Sequence, residues 1–128
     1  MPIESKAVFY DYEEGLQFAK QENKPILLDF TGYGCVNCRK MEAWVLSDDS
    51  VKKRLENYVL ITLYVDDKHA YKGSDFTIGD YNSKLQREQF GSNAQPFLVQ
   101  LNAKGEKIAE PCAFITDPNE FLNWLKLW

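Results

Sequence analysis

Between Pro25 and Met41 the chain passes from an apolar run to a pair of cysteines and then to a helical pattern. Few folds accommodate that succession. Pro25-Ile26-Leu27-Leu28-Asp29-Phe30 reads as a short buried strand. Gly32 and Gly34 break it and permit a tight turn. Cys35-Val36-Asn37-Cys38 follows, and Cys38, Met41 and Val45 then recur at i, i+3 and i+7. That stripe faces a core, so Cys38 is expected to be buried. Cys35 lies off the stripe at the helix tip, where unpaired backbone N–H groups and the helix dipole favour a thiolate. Two thiols three residues apart on a first helical turn are neighbours and can close a small disulfide ring. The rival uses are a zinc site and a structural disulfide. Zinc usually takes four ligands, and only Cys112 and the single histidine, His69, remain as obvious candidates. Neither sits in a second Cys-x-x-Cys or a Cys-x-x-His, so a redox pair is the reading.

The 128 residues suit one domain, 1–128, large enough to bury a core without staples. A formal charge of −4 argues against nucleic acid and anionic membrane surfaces as partners. No apolar stretch reaches the length of a membrane span. The start, Met1 to Lys6, lacks the apolar segment of a signal peptide. That fits a cytosolic protein, and equally a mature or excised piece of an exported one.

In chain order, a short strand is expected near Ala7 to Tyr10, then a helix from Asp11 to Glu22 opened by an Asp11/Glu14 capping box. Asn23-Lys24-Pro25 stops it and opens the central strand. After the cysteine helix, Ser47-Asp48-Asp49-Ser50 interrupts, and Val51 to Glu56 reads as a second helical piece. Trp44 is expected to cover the sheet edge. Tyr58 to Val65 is the best strand in the chain. Asp66 to Gly79 reads as an inserted surface loop, Asp80 to Phe90 as a helix ended by Gly91. Phe97 to Leu101 and Glu106 to Ala109 read as a β-hairpin with a four-residue loop. Asp117-Pro118-Asn119-Glu120 reads as a second capping box, opening a final helix from Phe121 to Trp128. The order β-α-β-α-β-α-β-β-α is an α/β protein: a mixed central sheet, helices on both faces, and an inserted loop before the third main helix.

With the strand, the Cys-x-x-Cys and Gln95-Pro96 ahead of a late strand, the chain resembles the thioredoxin superfamily. Asp29 to Glu42, then Leu63-Tyr64-Val65-Asp66-Asp67, then Gln95-Pro96-Phe97 resemble most the C-terminal periplasmic domain of the thiol:disulfide interchange protein DsbD, in its Bacteroidetes-type form. The resemblance implies a thioredoxin fold and a protein-disulfide reductase with no metal or organic cofactor, since the cysteine pair carries the two electrons. It implies a periplasmic setting, a membrane-embedded domain as electron donor, and disulfide-bearing protein domains as acceptors. It further implies that Asp29 is the buried acid that moves a proton at Cys38, against the plain alternative of a strand-end carboxylate reaching water. Pro96 would be the cis-proline beside the disulfide, and the backbone of Gln95 would pair with the partner's chain as an added strand. Tyr33 and Gly34, next to the site, are the further candidates for substrate contact. Thioredoxins usually carry Trp where Gly34 stands and Gly-Pro where Val36-Asn37 stand, differences that bear on the redox potential.

Other readings of the chain are a cytosolic thioredoxin served by a flavin-dependent reductase, and a binding or chaperone module of the same fold whose cysteines are incidental. Phe76 could meet a partner or pack the insertion down. His69 reads as a solvated surface residue, Cys112 as a small buried side chain, and Lys52-Lys53-Arg54 as the solvated face of a helix.

Overall fold

The computed structural model describes residues 8–126. Ala7 of the expected first strand, and Leu127 and Trp128 of the expected last helix, lie outside the described residues. The elements are β1 (Val8–Phe9), α1 (Tyr12–Glu22), β2 (Ile26–Thr31), α2 (Val36–Met41) continuing as a π-helical turn (Glu42–Leu46), α3 (Asp49–Leu55), β3 (Val59–Tyr64), α4 (Ile78–Phe90), β4 (Phe97–Leu101) and α5 (Pro118–Trp124). The four strands form one mixed sheet in the order β1-β3-β2-β4. β3 runs parallel to both β1 and β2, and β4 runs antiparallel to β2.

Alternation along β2 divides the core. Ile26, Leu28 and Phe30 join Val59, Ile61 and Leu63 of β3 on one face, where Tyr12 and Ala19 of α1 and Leu85 and Phe90 of α4 cover them. Leu27 turns to the other face, packed by Met41 and Val45 after the cysteines, by Val51 and Leu55 of α3, and by Phe121 of α5. Helices on both faces leave the central strand buried except at Asp29, which is why it reads as a nearly continuous apolar run rather than an alternating one.

Helix ends differ from the sequence expectation in informative ways. Asp11 caps α1 by accepting from the Glu14 N–H at 3.0 Å. The Glu14 carboxylate does not complete a box; it lies 3.8 Å from Lys72 Nζ. Asp117 likewise accepts from Asn119 N–H at 3.1 Å, a one-way cap. The reciprocal box belongs to α4, between Thr77 and Asp80, so that helix begins two residues earlier than expected, at Ile78. α5 ends sooner than expected, because Leu125 leaves helical geometry at φ −67°, ψ 133°.

The second hairpin arm is also corrected. Leu101 pairs with Lys107, and Leu98 pairs with Cys112, but no continuous strand joins them. A regular antiparallel register from the first pair would set residue 110 against Leu98, so two extra residues are looped out. Pro111 lies in that segment and has no N–H to offer a ladder. Trp44 is half exposed, with Lys40 Nζ 6.0 Å from its ring centroid.

The C-terminal segment is tied down by one buried amide. Gln100 of β4 is fully buried. Its Nε2 donates to Trp124 O at 2.9 Å, and its Oε1 accepts from Lys126 N–H at 2.8 Å and Tyr58 OH at 3.1 Å. Gln100→Leu keeps the volume but removes the partners of the Trp124 carbonyl and the Lys126 N–H, at about 1–3 kcal/mol for each group that water cannot reach. Tyr58 OH keeps its bond to Lys126 O at 2.7 Å. The expected outcome is a loss of about 2–4 kcal/mol in urea unfolding, with the same m-value. A loss under about 0.5 kcal/mol would show that the amide is dispensable.

Candidate active site

The site lies where β2 and β3, running side by side, both end. Thr31 pairs with Tyr64, and the Val65 N–H donates to Thr31 O at 2.9 Å. Beyond that point β2 enters the Gly32-Tyr33-Gly34 turn. Both glycines have ordinary negative-φ backbones, so the turn does not need their left-handed freedom. What Gly32 supplies is room: a Cβ there would lie 3.3 Å from Asp66 Oδ2.

Cys35 and Cys38 are joined as a disulfide, with 5.2 Å between Cα atoms. Cys35 is the cap residue of α2, and its Sγ accepts from the Cys38 N–H at 3.1 Å. Cys38 is 2% exposed and Cys35 is partly exposed, whereas Val36 beside Cys35 is 66% exposed and Tyr33 59%. Tyr33 stacks on Tyr64 of β3, with ring centroids 3.9 Å apart. The pair therefore has one sulfur at a rim of exposed side chains and one beneath it.

Asp29, Cys38 and Pro96 line one crevice too narrow to hold a water molecule, together with Thr31 and Glu42. Asp29 retains slight exposure as a residue, but its Oδ1 is buried with no hydrogen-bond partner among the described residues. Burial pushes its carboxyl up to about 7, the Glu42 carboxylate adds to the rise, and the Arg39 guanidinium opposes it. Arg39 itself is spanned between Thr31 Oγ1 at 3.2 Å and Glu42 Oε2 at 2.7 Å. The Gln95–Pro96 peptide bond is cis. Its loop is anchored by the buried Gln86 of α4, which donates to Ala94 O at 2.7 Å and accepts from Gln95 Nε2 at 2.9 Å.

The candidates named from sequence thus fall into one cluster: Cys35 and Cys38 at its centre, Asp29 and Pro96 below, Tyr33, Gly34 and Gln95 at the rim. Of the other two, His69 lies apart from it, whereas Cys112 pairs with Leu98, which lines the same crevice. His69, its side chain 88% exposed, holds Asp67 Oδ1 at 2.8 Å through Nδ1. Cys112 is half-buried on the strand segment beside β4, and burial above all pushes its thiol up to about 12, with the Asp29 and Glu120 charges adding. The insertion folds back on itself through an Ala70–Thr77 bridge, and Tyr71 stacks on Tyr81 of α4 at 4.1 Å and on Phe76 at 5.7 Å.

Sequence reasoning missed Arg39, Glu42, Gln86 and Asp66 as parts of the site. Gln86 had a signal, since with Asn82 and Phe90 it occupies a core-facing i, i+4, i+8 row on α4. Asp66 had one too, as a carboxylate two residues past a strand paired with β2.

A vicinal cysteine pair capping a helix, one sulfur buried above a carboxyl and the other accessible, on a mixed sheet with helices on both faces, is the apparatus of a thiol:disulfide oxidoreductase. A family model described as thioredoxin-like matches residues 7–103, and the chain belongs to that thioredoxin-like family. The thiol:disulfide interchange protein DsbD of Campylobacter jejuni (strain RM1221) is 36% identical over 67 residues, which cover 49% of this chain and 12% of that protein. The chain therefore spans about an eighth of that relative's length. In fold it is similar to a thioredoxin from Thermus thermophilus, with TM-score 0.71, 23% identity, and coverage of 94% of this chain and 84% of that one. The oxidised DsbD C-terminal domain of Neisseria meningitidis superposes with TM-score 0.67 at 20% identity, covering 92% of this chain and 96% of that one.

Asp29 has a consequence for stability. Because its folded pKa is raised, the native state holds a proton that the unfolded chain releases in the ordinary carboxylate range. Its contribution is fully present below that range and is lost as pH rises through about 7. The loss is on the order of 2–4 kcal/mol. Asp29→Asn removes it, so the variant should gain on the parent protein in urea midpoint between pH 5 and pH 8. Parallel curves across that range would mean that the carboxyl does not titrate there.

Proposed function

We propose that this chain reduces disulfides in partner proteins, as the terminal thioredoxin-like domain of a DsbD-like electron relay on the periplasmic side of a membrane. The observation that carries the proposal is the unequal exposure of a bonded cysteine pair: Cys35 caps the helix and is partly exposed, and Cys38 is 2% exposed.

In the reduced protein, the Cys35 thiolate attacks one sulfur of a partner disulfide. A bond forms between Cys35 and that sulfur, and the other partner sulfur leaves as a thiolate. Cys38 then loses its proton and attacks Cys35 Sγ. The Cys35–Cys38 bond forms, and the partner's remaining sulfur departs as a second thiolate. Two electrons pass to the partner, which takes up two protons. Resolution outpaces any dissolved thiol, because Cys38 is held beside the bond it breaks.

Asp29 is the group assigned to the Cys38 proton. A carboxyl near 7 is half ionised at neutral pH and can both accept and return a proton there. The buried Pro96 closes the same crevice. The Gln95 backbone beside it is the proposed edge for a partner's extended segment, with Tyr33 and Gly34 as the facing rim. The relay donor and its membrane setting rest on the likeness to DsbD, a protein of which this chain matches a small part.

Trapping tests the roles of the two sulfurs. Cys38→Ser leaves the attacking thiolate and the surface intact but removes the resolving thiol. Expressed in the native compartment, quenched with acid and run without reductant, it should accumulate a discrete adduct that a reductant dissolves. Cys35→Ser should accumulate none. Equal trapping by both variants, or by neither, would overturn the assignment, and an adduct mapped to Cys112 would show exchange through the third cysteine.

A further inference from the structure

The turn that delivers Cys35 is held by a group the exchange chemistry does not use. Asp66 stands two residues past Tyr64, and because Tyr64 pairs with Thr31, it comes level with Tyr33. Its Oδ1 accepts from the Tyr33 N–H at 2.9 Å and its Oδ2 from the Gly34 N–H at 3.1 Å. The next N–H, that of Cys35, turns back to Gly32 O at 3.2 Å. Partial burial pulls the Asp66 carboxyl upward, but the Tyr33 and Gly34 N–H groups, with help from the Arg39 guanidinium, outweigh it and hold the pKa below the usual range. At neutral pH the turn before Cys35 therefore carries a fixed negative charge.

We infer that Asp66 is a positioning residue for Cys35: it locks the Gly32–Gly34 turn so that Cys35 caps α2, and its charge opposes formation of the Cys35 thiolate. Two things follow from the geometry. Consecutive backbone N–H groups in a turn make an anion-binding concavity when they are free. Here both are taken by a carboxylate, so they are not available to a thiolate, and the Cys38 N–H at 3.1 Å is the donor that Cys35 Sγ has. A like charge beside the turn adds to that loss. The reduced pair is thus less stabilised as thiolate and gives up its electrons more readily, the direction that suits a reductant.

Other charged or titratable groups stand around the pair, among them Cys112, which faces Leu98 on the crevice wall beside Asp29. Arg39 of α2 is cationic and acts against Asp66. Tyr33 and Tyr64 stand at the rim, and the Asp67–His69 pair follows Asp66. Asp29 and Glu42 lie on the Cys38 side, in the crevice. Asp66 is the one of these whose carboxylate bonds directly to the backbone of the residue preceding Cys35.

The inference rests on the exchange reading above, and its test separates the two. The reduced parent protein, Asp66→Asn and Asp66→Ala are alkylated with iodoacetamide across pH 5 to 10, and the Cys35 adduct is quantified by peptide mass. Asp66→Asn keeps an acceptor oxygen and removes the charge. Its alkylation midpoint should fall by about half a pH unit or more, and the difference should shrink in 1 M salt, where screening is nearly complete. Asp66→Ala removes the clamp as well. Its rate with glutathione disulfide, corrected for thiolate fraction, should fall several-fold below that of the parent protein. An unmoved or raised midpoint in Asp66→Asn overturns the electrostatic part. A corrected exchange rate in Asp66→Ala equal to that of the parent overturns the positioning part. If Asp66→Ala does not fold, the same rate comparison on Asp66→Asn decides, since it too loses one of the two bonds. A parent protein inert towards glutathione disulfide would sink the exchange reading, while the alkylation midpoint, which needs no partner, would still judge the charge.

Discussion

The parallel pairing of β2 with β3, Ile26 against Val59 through Thr31 against Tyr64, is the constraint on which the redox end of the molecule depends. It brings two strand ends to one place, so that the turn before Cys35 and the chain after Tyr64 can bond to each other. The antiparallel pairing of β4 with the other side of β2, ending at Phe30 against Phe97, brings Pro96 to the same end from the opposite flank. A slip of one residue in either pairing would exchange the two faces of the strand. Asp29 would then turn from the crevice shared with Cys38 into the apolar layer under Tyr12 and Ala19 of α1. That cost, a carboxyl among hydrocarbon with no partner, is part of what enforces the register.

Two carboxyls near the cysteines show how environment assigns opposite roles to one functional group. Asp29 is raised first by burial, with one oxygen lacking a hydrogen bond among the described residues, and then by the nearby Glu42 carboxylate, so its proton is held into the neutral range. Asp66 is exposed, bonded to two backbone N–H groups, and ionised. The first can move a proton at the buried sulfur. The second cannot, and instead sets the shape and field of the turn that presents the accessible one. Arg39, reaching from α2 to Thr31 and Glu42, acts on both in one direction: it opposes the rise at Asp29 and adds to the fall at Asp66.

Much of this was legible in the chain. The apolar run, the glycine-bordered turn and the Cys-x-x-Cys followed by an i, i+3, i+7 stripe placed β2, α2 and the burial of Cys38, because each signal is local and rests on one periodicity. The strand from Tyr58 and the cap at Asp11 were legible for the same reason. Capping boxes were less so. Asp11/Glu14 and Asp117/Glu120 have the spacing but not the reciprocal bond, while Thr77/Asp80 has both, since a side chain such as Glu14 answers to Lys72 across the fold rather than to its own helix end. The second hairpin arm failed where Pro111 and two looped-out residues interrupt a ladder that turn residues alone suggest.

By itself, the sequence determined the composition of the site: which residues carry sulfur, which strand leads into them, which sulfur is buried. It did so because those features lie within about twenty consecutive residues and obey helical or strand spacing. The tertiary structure alone decided the electrostatics. Asp66 meets Tyr33 and Gly34 across more than thirty positions of chain, Gln86 fixes the loop of Gln95 from another helix, and Glu42 and Arg39 act on Asp29 through space. No local pattern encodes which long-range neighbours share a crevice. Whether a carboxyl keeps its proton depends on those neighbours and on the water they exclude, and both exist only once the sheet has closed its register.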